Sequence, residues 1–283
     1  MNSQEYIEVS ISITPFSEEN AEIVTAEISE LPFESFSTEG ETLKCYIQKD
    51  LYDAQALKVV ISGLDYLDVK VEYSANLMPA VNWNAVWEST HEPVLVEDFC
   101  WVYAPFHSIN TEVKYNILIE PKMSFGTAHH STTYMMLSFL RDEELEGRKV
   151  LDMGSGTGVL AILAKMKGAA ETDAIDNDEW AYRNALENVE ANGCTGINVL
   201  LGDAQLLNEK GLYDVVIANI NRNILLRDMH AYIEHLNTGG TLLLSGFYEH
   251  DIPSIRQEAE KNGMAFESFR ERNEWVACKF VKK

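Results

Sequence analysis

Long apolar runs are missing from this chain. No stretch approaches the roughly 18 consecutive apolar residues of a membrane-spanning helix. Glu5 and Glu8 stand where a secretory leader would need a basic and then an apolar run, so a cytoplasmic chain with no membrane partner is expected. Cysteine is scarce: Cys45, Cys100, Cys194 and Cys278 are scattered with no CxxC pair, which excludes a zinc ribbon and a disulfide framework and fits a reducing compartment. Basic residues are few, 22 Lys and Arg against 45 Asp and Glu, for a net charge of −23. That balance opposes direct contact with nucleic-acid phosphate and favours a basic partner. The shortage is sharpest in residues 1–75, where 15 acids face four lysines. Internal repeats and low-complexity segments are absent.

What is present centres on residues 150–167. An apolar strand (Val150, Leu151) passes Asp152 and Met153, turns through Gly154, Ser155, Gly156, Thr157 and Gly158, and enters a helix at Val159. Glycines allow a tight turn and a close ligand approach to backbone N–H groups, with the following helix pointing at that ligand. The spacing is GxGxG, and a dinucleotide fingerprint would place its third glycine where Val159 sits. S-adenosylmethionine is therefore expected over a nicotinamide cofactor. The next strand, Glu171 to Asp178, carries Asp176, 22 residues beyond Gly154, where an acid accepts hydrogen bonds from ribose hydroxyls. Asp178 is expected to cap the helix over 179–192.

The remaining segments divide the chain in two. Residues 6–14 alternate as a strand, 16–29 read as a helix, 33–37 and 42–48 as a hairpin, 50–62 as a second helix and 67–73 as a strand. This βαββαβ order predicts a small α+β ferredoxin-like domain over 1–75 with no catalytic cluster, hence a binding module. Residues 76–100, with Trp83, Asn84 and Trp87, read as a linker with a short helix, and residues 101–283 as the second domain. Within that domain a strand ends at Glu120-Pro121 and a loop of Phe125, Gly126, Thr127, Ala128, His129 and His130 precedes a helix from Ser131, placing Thr133 in its first turn. Such a loop can form a lid over a cofactor. The paired histidines carry no further ligand at metal spacing, so no metal is expected. Asp203, after the strand 197–201, is the candidate contact for an adenine amino group. Asn219 ends the strand 213–218, where ligands bind in open α/β sheets. A helix over 224–236, a turn at Gly239-Gly240, a strand over 241–245 and an antiparallel pair over 264–270 and 275–281 complete a seven-stranded Rossmann-like class I methyltransferase sheet.

Assembled, these residues resemble the PrmA family, the methyltransferases of the eleventh large-subunit ribosomal protein. The resemblance rests on the βαββαβ front, NWNAVWESTHEP, FGTAHHSTT at 125–133, LDMGSGTGVLAI, AIDND and ANI at 218–220. It implies that Thr133, Gly154, Asp176 and Asn219 contact S-adenosylmethionine, that the front domain recruits the ribosomal protein, and that lysine ε-amines and an N-terminal α-amine receive methyl groups. Gly156 and Asp203 join the candidate cofactor contacts. Asn219 is expected to orient the amine, with His130 as a candidate base. Ala128 stands where the family has glycine, and Lys122 replaces a glycine after Pro121, so a different lid path is expected. A monomer is expected. The alternatives are a methyltransferase of the same fold for another basic protein, or a catalytically idle ribosome-binding protein. Enzymes that methylate bases or glutamine usually carry Asn/Asp-Pro-Pro-aromatic where this chain reads Asn219-Ile220-Asn221-Arg222.

Overall fold

A computed structural model describes residues 5–67, 69–78, 92–120, 122 and 124–283. The chain separates into two compact units, residues 1–91 and 92–283.

The first unit runs β1 (Tyr6–Thr14), α1 (Glu18–Ile28), β2 (Ser35–Glu39), β3 (Thr42–Gln48), α2 (Ala54–Ser62) and β4 (Lys70–Leu77). Its strands form one antiparallel sheet in the order β2-β3-β1-β4. Alternation on β1 turns Val9, Ile11 and Ile13 inward, where they meet Val24 and Ile28 of α1 and Leu57 of α2. Cys45 lies in this core, and burial pushes its thiol up to about 12, so it packs as a small apolar group. The helix expected from Asp50 starts later. Asp53 accepts the N–H groups of Gln55 and Ala56 and so sets the first turn of α2, leaving residues 49–51 as a 3-10 turn. A further 3-10 turn over 63–66 delays β4 to Lys70, beyond the expected start at Leu67.

Strands occupy both ends of the segment expected as a linker. β4 reaches Leu77, and β5 (Val94–Val96) opens a three-stranded sheet with β6 (Cys100–Tyr103) and β7 (Tyr115–Leu118). Strands of three or four residues are too short to show a period of two. Trp83, Asn84 and Trp87 lie outside the described residues.

The second unit continues with α3 (Ser131–Asp142), β8 (Lys149–Met153), α4 (Val159–Met166), β9 (Glu171–Asp176), α5 (Glu179–Ala191), β10 (Ile197–Leu201), β11 (Tyr213–Asn219), α6 (Arg222–Glu234), β12 (Leu236–Tyr248), α7 (Ile252–Lys261), β13 (Met264–Arg272) and β14 (Trp275–Lys282). The sheet order is β10-β9-β8-β11-β12-β14-β13, parallel from β10 to β12 and antiparallel through β14 and β13. The chain winds outward from β8 to β10, then returns to pair β11 with β8. That reversal opens a crevice at the carboxyl ends of β8 and β11. The helices α3, α4 and α5 pack one face of the sheet, α6 and α7 the other. Gly239-Gly240, expected as a turn, lies inside β12. The pairing with β11 jumps from Tyr213–Leu236 to Val215–Thr241, so residues 237–240 bulge without ending the strand. β12 also runs on to Tyr248, which pairs with Trp275.

Candidate active site

The glycine turn sits at the crevice, and every N–H in it is already used. Gly154 and Ser155 donate to Ile175 O at 2.8 and 3.1 Å, Thr157 to Phe125 O at 2.9 Å, and Gly158 to Ser155 O at 2.8 Å. Gly156 donates to Asp176 Oδ2 at 2.8 Å. The sequence suggested an approach of ligand to these N–H groups; the structure corrects it. A loop that cradles phosphate needs free backbone N–H groups, and here all five are bonded within the chain, while Ser155 Oγ is buried without a partner. Its glycines serve close packing instead. A Cβ on Gly154 would overlap Ile220 Cγ2, and one on Gly156 would overlap Phe125 O, while both residues have positive φ.

Asp176 is fixed twice, by Gly156 N–H on Oδ2 and by Asp178 N–H at 3.0 Å on Oδ1. Each carboxylate oxygen keeps a further lone pair for a hydroxyl. Asp178 caps α5 through Ala181 N–H at 2.8 Å. Gly154, Asp176 and Asp203 line one cleft of about 370 Å³, counting its open mouth, with Met153, Ile175, Ala204, Ile220 and Ile224 as its apolar walls. Asp203 also caps the 3-10 turn that follows it, through Gln205 N–H at 2.9 Å. Gly156 does not line the cleft; its N–H orients Asp176.

Beneath the turn lies Asp152, to which the sequence reading attached no role. It is fully buried, and its Oδ2 accepts Ala161 N–H at 3.2 Å, capping α4 where Gly158 has no side chain to do so. Oδ1 has no partner. Burial, with the charge of Asp176 adding, pushes its carboxyl up to about 7.

Thr133 and Asn219 meet at the carboxyl end of β11. Asn219 Nδ2 donates to the buried Thr133 Oγ1 at 3.3 Å, and Asn219 Oδ1 is buried with no hydrogen-bond partner. A buried acceptor left open is costly unless a ligand completes it. Asn219 pairs across the sheet with Ser245, and Ser245 with Ala277, so Trp275 and Tyr248 lie at the same end of the sheet as Asn219. Four rings gather there: Phe125 against His130 at 5.1 Å between centroids, His130 against Trp275 at 4.8 Å, and Trp275 against Tyr248 at 4.3 Å. No local pattern marks this cluster, because β12 and β14 bring its members together from positions 248 and 275.

His130, the candidate base, caps α3. Its Nδ1 accepts Thr132 N–H at 3.3 Å and lies 2.8 Å from Thr132 Oγ1, which assigns the ring proton to Nε2. Burial lowers its pKa, so the ring is neutral and holds the loop in place. The loop itself is bolted to the glycine turn: Thr157 Oγ1 donates to Gly126 O at 2.6 Å, and Asn188 Nδ2 reaches Thr157 O at 2.9 Å. Ala128 adopts φ +65°, the left-handed conformation that glycine takes without strain, so the backbone keeps the path a glycine would follow. Among the described residues no group of His, Cys, Asp or Glu could hold a metal ion, and no helix is long and apolar enough to cross a membrane.

The family model described as ribosomal protein L11 methyltransferase (PrmA) matches residues 7–283. A ribosomal protein L11 methyltransferase of Bacteroides fragilis is 44% identical over 277 residues, covering 98% of this chain and 99% of the relative. Its counterpart in Porphyromonas gingivalis is 44% identical over 261 residues, covering 92% and 90%. The crystal structure of a ribosomal protein L11 methylase from Lactobacillus delbrueckii subsp. bulgaricus superimposes with a TM-score of 0.62 at 24% identity, covering 68% of this chain and 100% of that one, and so agrees in fold. Alike from end to end at such identity, this chain belongs to the ribosomal protein L11 methyltransferase family.

Proposed function

We propose that this enzyme methylates ribosomal protein L11 on lysine ε-amines and on the N-terminal α-amine, with S-adenosylmethionine as donor. Family membership supports the activity, and the open acceptor on Asn219 supports an amine as the group that receives the methyl. The cleft suits the donor. An adenosyl group brings no phosphate, which matches a turn with no free N–H. Asp176 would take the ribose hydroxyls, Asp203 the exocyclic amine, and Met153, Ile175 and Ile220 the flat adenine and adjoining chain. The bound donor supplies a methyl group on a sulfonium.

The chain's own residues do the rest. Asn219 Oδ1 accepts an N–H of the incoming amine and aims its lone pair, while Thr133 holds the amide plane. Phe125, His130 and Trp275 exclude water around that amine, and desolvation lowers the pKa of an ammonium, so the proton leaves to solvent without a dedicated base. His130 acts by positioning, since its Nδ1 is committed to the cap. The first unit reads as a ferredoxin-like module that recruits the substrate; the second, with its seven strands in class I order, is the catalytic domain. Working as a cytoplasmic monomer on a basic protein, with no direct nucleic-acid contact, fits the net charge of −23.

Intact-mass spectrometry of purified L11, incubated with enzyme and S-adenosylmethionine, tests the reading. Increments of one methylene each, lost with Asp176→Ala, are expected. An unchanged mass with cofactor binding intact would redirect the search to other basic proteins.

A further inference from the structure

Tyr248 belongs to the ring cluster but has no part in the mechanism above. Its backbone N–H reaches Asp251 Oδ2 at 3.2 Å, and the buried Asp251 also pairs with Arg222 Nε at 3.0 Å through Oδ1. Arg222 opens α6, directly after the Ile220-Asn221 turn that follows Asn219. One carboxylate thus ties the end of β12 to that turn. A second tie is steric: a Cβ on Gly246 would stand 2.2 Å from Ile220 O, so β12 runs against the residue after Asn219 two places before Tyr248. A third runs through α3, where Thr133 meets Asn219, His130 caps the first turn, and Asn273 Nδ2 reaches Ser131 Oγ at 3.1 Å two residues before Trp275. The rings are therefore anchored to the amine half through both β12 and α3.

Their surface suits a cation. Tyr248 and Phe125 are 41% and 51% exposed, and His130 and Trp275 between them are half-buried. Neighbouring planes incline by 61°, 67° and 32°, so the row is not a flat stack and its exposed ring surface faces more than one direction. Asp251 balances the charge of Arg222 and lies 3.7 Å from His250, whose ring stacks on Tyr248 at 5.7 Å.

Each transfer changes what the amine needs. Its lone pair forms the new N–C bond as the methyl–sulfur bond breaks, the electron pair stays on sulfur, and the product is an ammonium that must lose a proton to solvent before it can attack again. Every methyl replaces an N–H that Asn219 Oδ1 could accept and adds apolar surface around a spread positive charge. A hydrogen-bond acceptor loses its hold on such a cation, whereas aromatic faces gain one.

We propose that Tyr248, packed on Trp275 and set by Asp251, is a specificity-determining contact that retains the methylated ammonium of the substrate while spent cofactor is exchanged for fresh donor. The inference rests on the proposed reading of the enzyme as an amine methyltransferase of L11. Asn219 selects the unmodified amine, and Tyr248 keeps it for the next methyl.

The test is site-resolved mass spectrometry of L11 treated with limiting full-length enzyme and excess S-adenosylmethionine, stopped at low conversion. Wild type should already place more than one methyl on individual amines. Tyr248→Leu, which keeps apolar bulk and removes the ring, should lower the ratio of multiply methylated to monomethylated amines about fivefold, and Tyr248→Phe should restore it. An unchanged ratio in Tyr248→Leu, a slower total turnover with the ratio intact, or an equal fall in Tyr248→Phe overturns the role of the ring. Monomethylated amines alone from wild type also overturn it, with the methyltransferase reading intact. If wild-type enzyme leaves L11 unmodified, the substrate reading fails and this assignment falls with it.

Discussion

The proposed donor and amine halves of the site differ in how their polar groups are satisfied. In the donor half every N–H of the glycine turn is bonded and Asp176 is held at both oxygens, while Ser155 Oγ in the turn and Asp152 Oδ1 deep below it are buried without a partner. In the amine half Asn219 keeps a buried oxygen open at the end of the sheet where the rings of Trp275 and Tyr248 lie. A saturated shelf loses little entropy when a cofactor arrives, because its shape is already set. An open acceptor destabilises the empty enzyme, and under the proposed function the substrate amine offsets that cost on completing it.

Breaking the amine half should give the largest effect. Asn219→Ala is expected to lower kcat by roughly a hundredfold to a thousandfold, with cofactor affinity changed by less than about threefold. Single-turnover kinetics beside calorimetric titration of S-adenosylmethionine would check it, and equal losses in both would remove the orienting role.

The buried carboxyl of the donor half comes next. Asp152 has a carboxyl raised to about 7 when folded, against an ordinary value near 3.9 when unfolded, so the protonated form is favoured in the native state. Its contribution to stability is full below about pH 4 and is lost as pH rises through about 7. Denaturant unfolding of wild type and Asp152→Asn at several pH values should show wild type losing roughly 3–4 kcal/mol relative to the variant across that window. A constant difference would mean that the carboxyl is not titrating there.

Asp176→Ala removes the ribose anchor of the proposed site together with the acceptor of Gly156 N–H. Cofactor affinity should fall about tenfold to thirtyfold, since a buried N–H loses its partner as the ligand loses its own. Calorimetric titration measures it, and a smaller loss than Asp203→Ala would shift the anchoring to Asp203.

The smallest effect tests the turn that delivers Trp275. Asn273 and Glu274 both have positive φ, and Asn273 Nδ2 reaches Ser131 Oγ at 3.1 Å. Glu274→Gly should stabilise the protein by about 1 kcal/mol, because glycine adopts that conformation without strain. A rise in melting temperature checks it.

Legibility follows the same division. The donor half is contiguous: Gly154 and Asp176 belong to one strand-turn-helix-strand run, so their spacing in the chain is nearly their arrangement in space. The amine half joins positions 125–133, 219, 248 and 275, and no local pattern connects them. His130 illustrates the limit. As a histidine beside threonines it was a fair candidate base, and only the Thr132 N–H on its Nδ1 made it a cap. Strand lengths were hidden for a related reason, since the bulge at 237–240 is held by pairing with β11 and not by local preference.

The sequence by itself determined the two-unit order, the glycine turn with its acid at the end of β9, and the strong negative charge of the first unit. Periodicity, glycine spacing and charge are properties of neighbours along a chain. Tertiary structure alone decided that the turn has no backbone N–H left for phosphate, that Asn219 keeps one oxygen open, and that distant rings gather at the same end of the sheet. Those outcomes depend on which groups the folded chain brings within hydrogen-bond reach, and that is settled by the winding of β8 to β14.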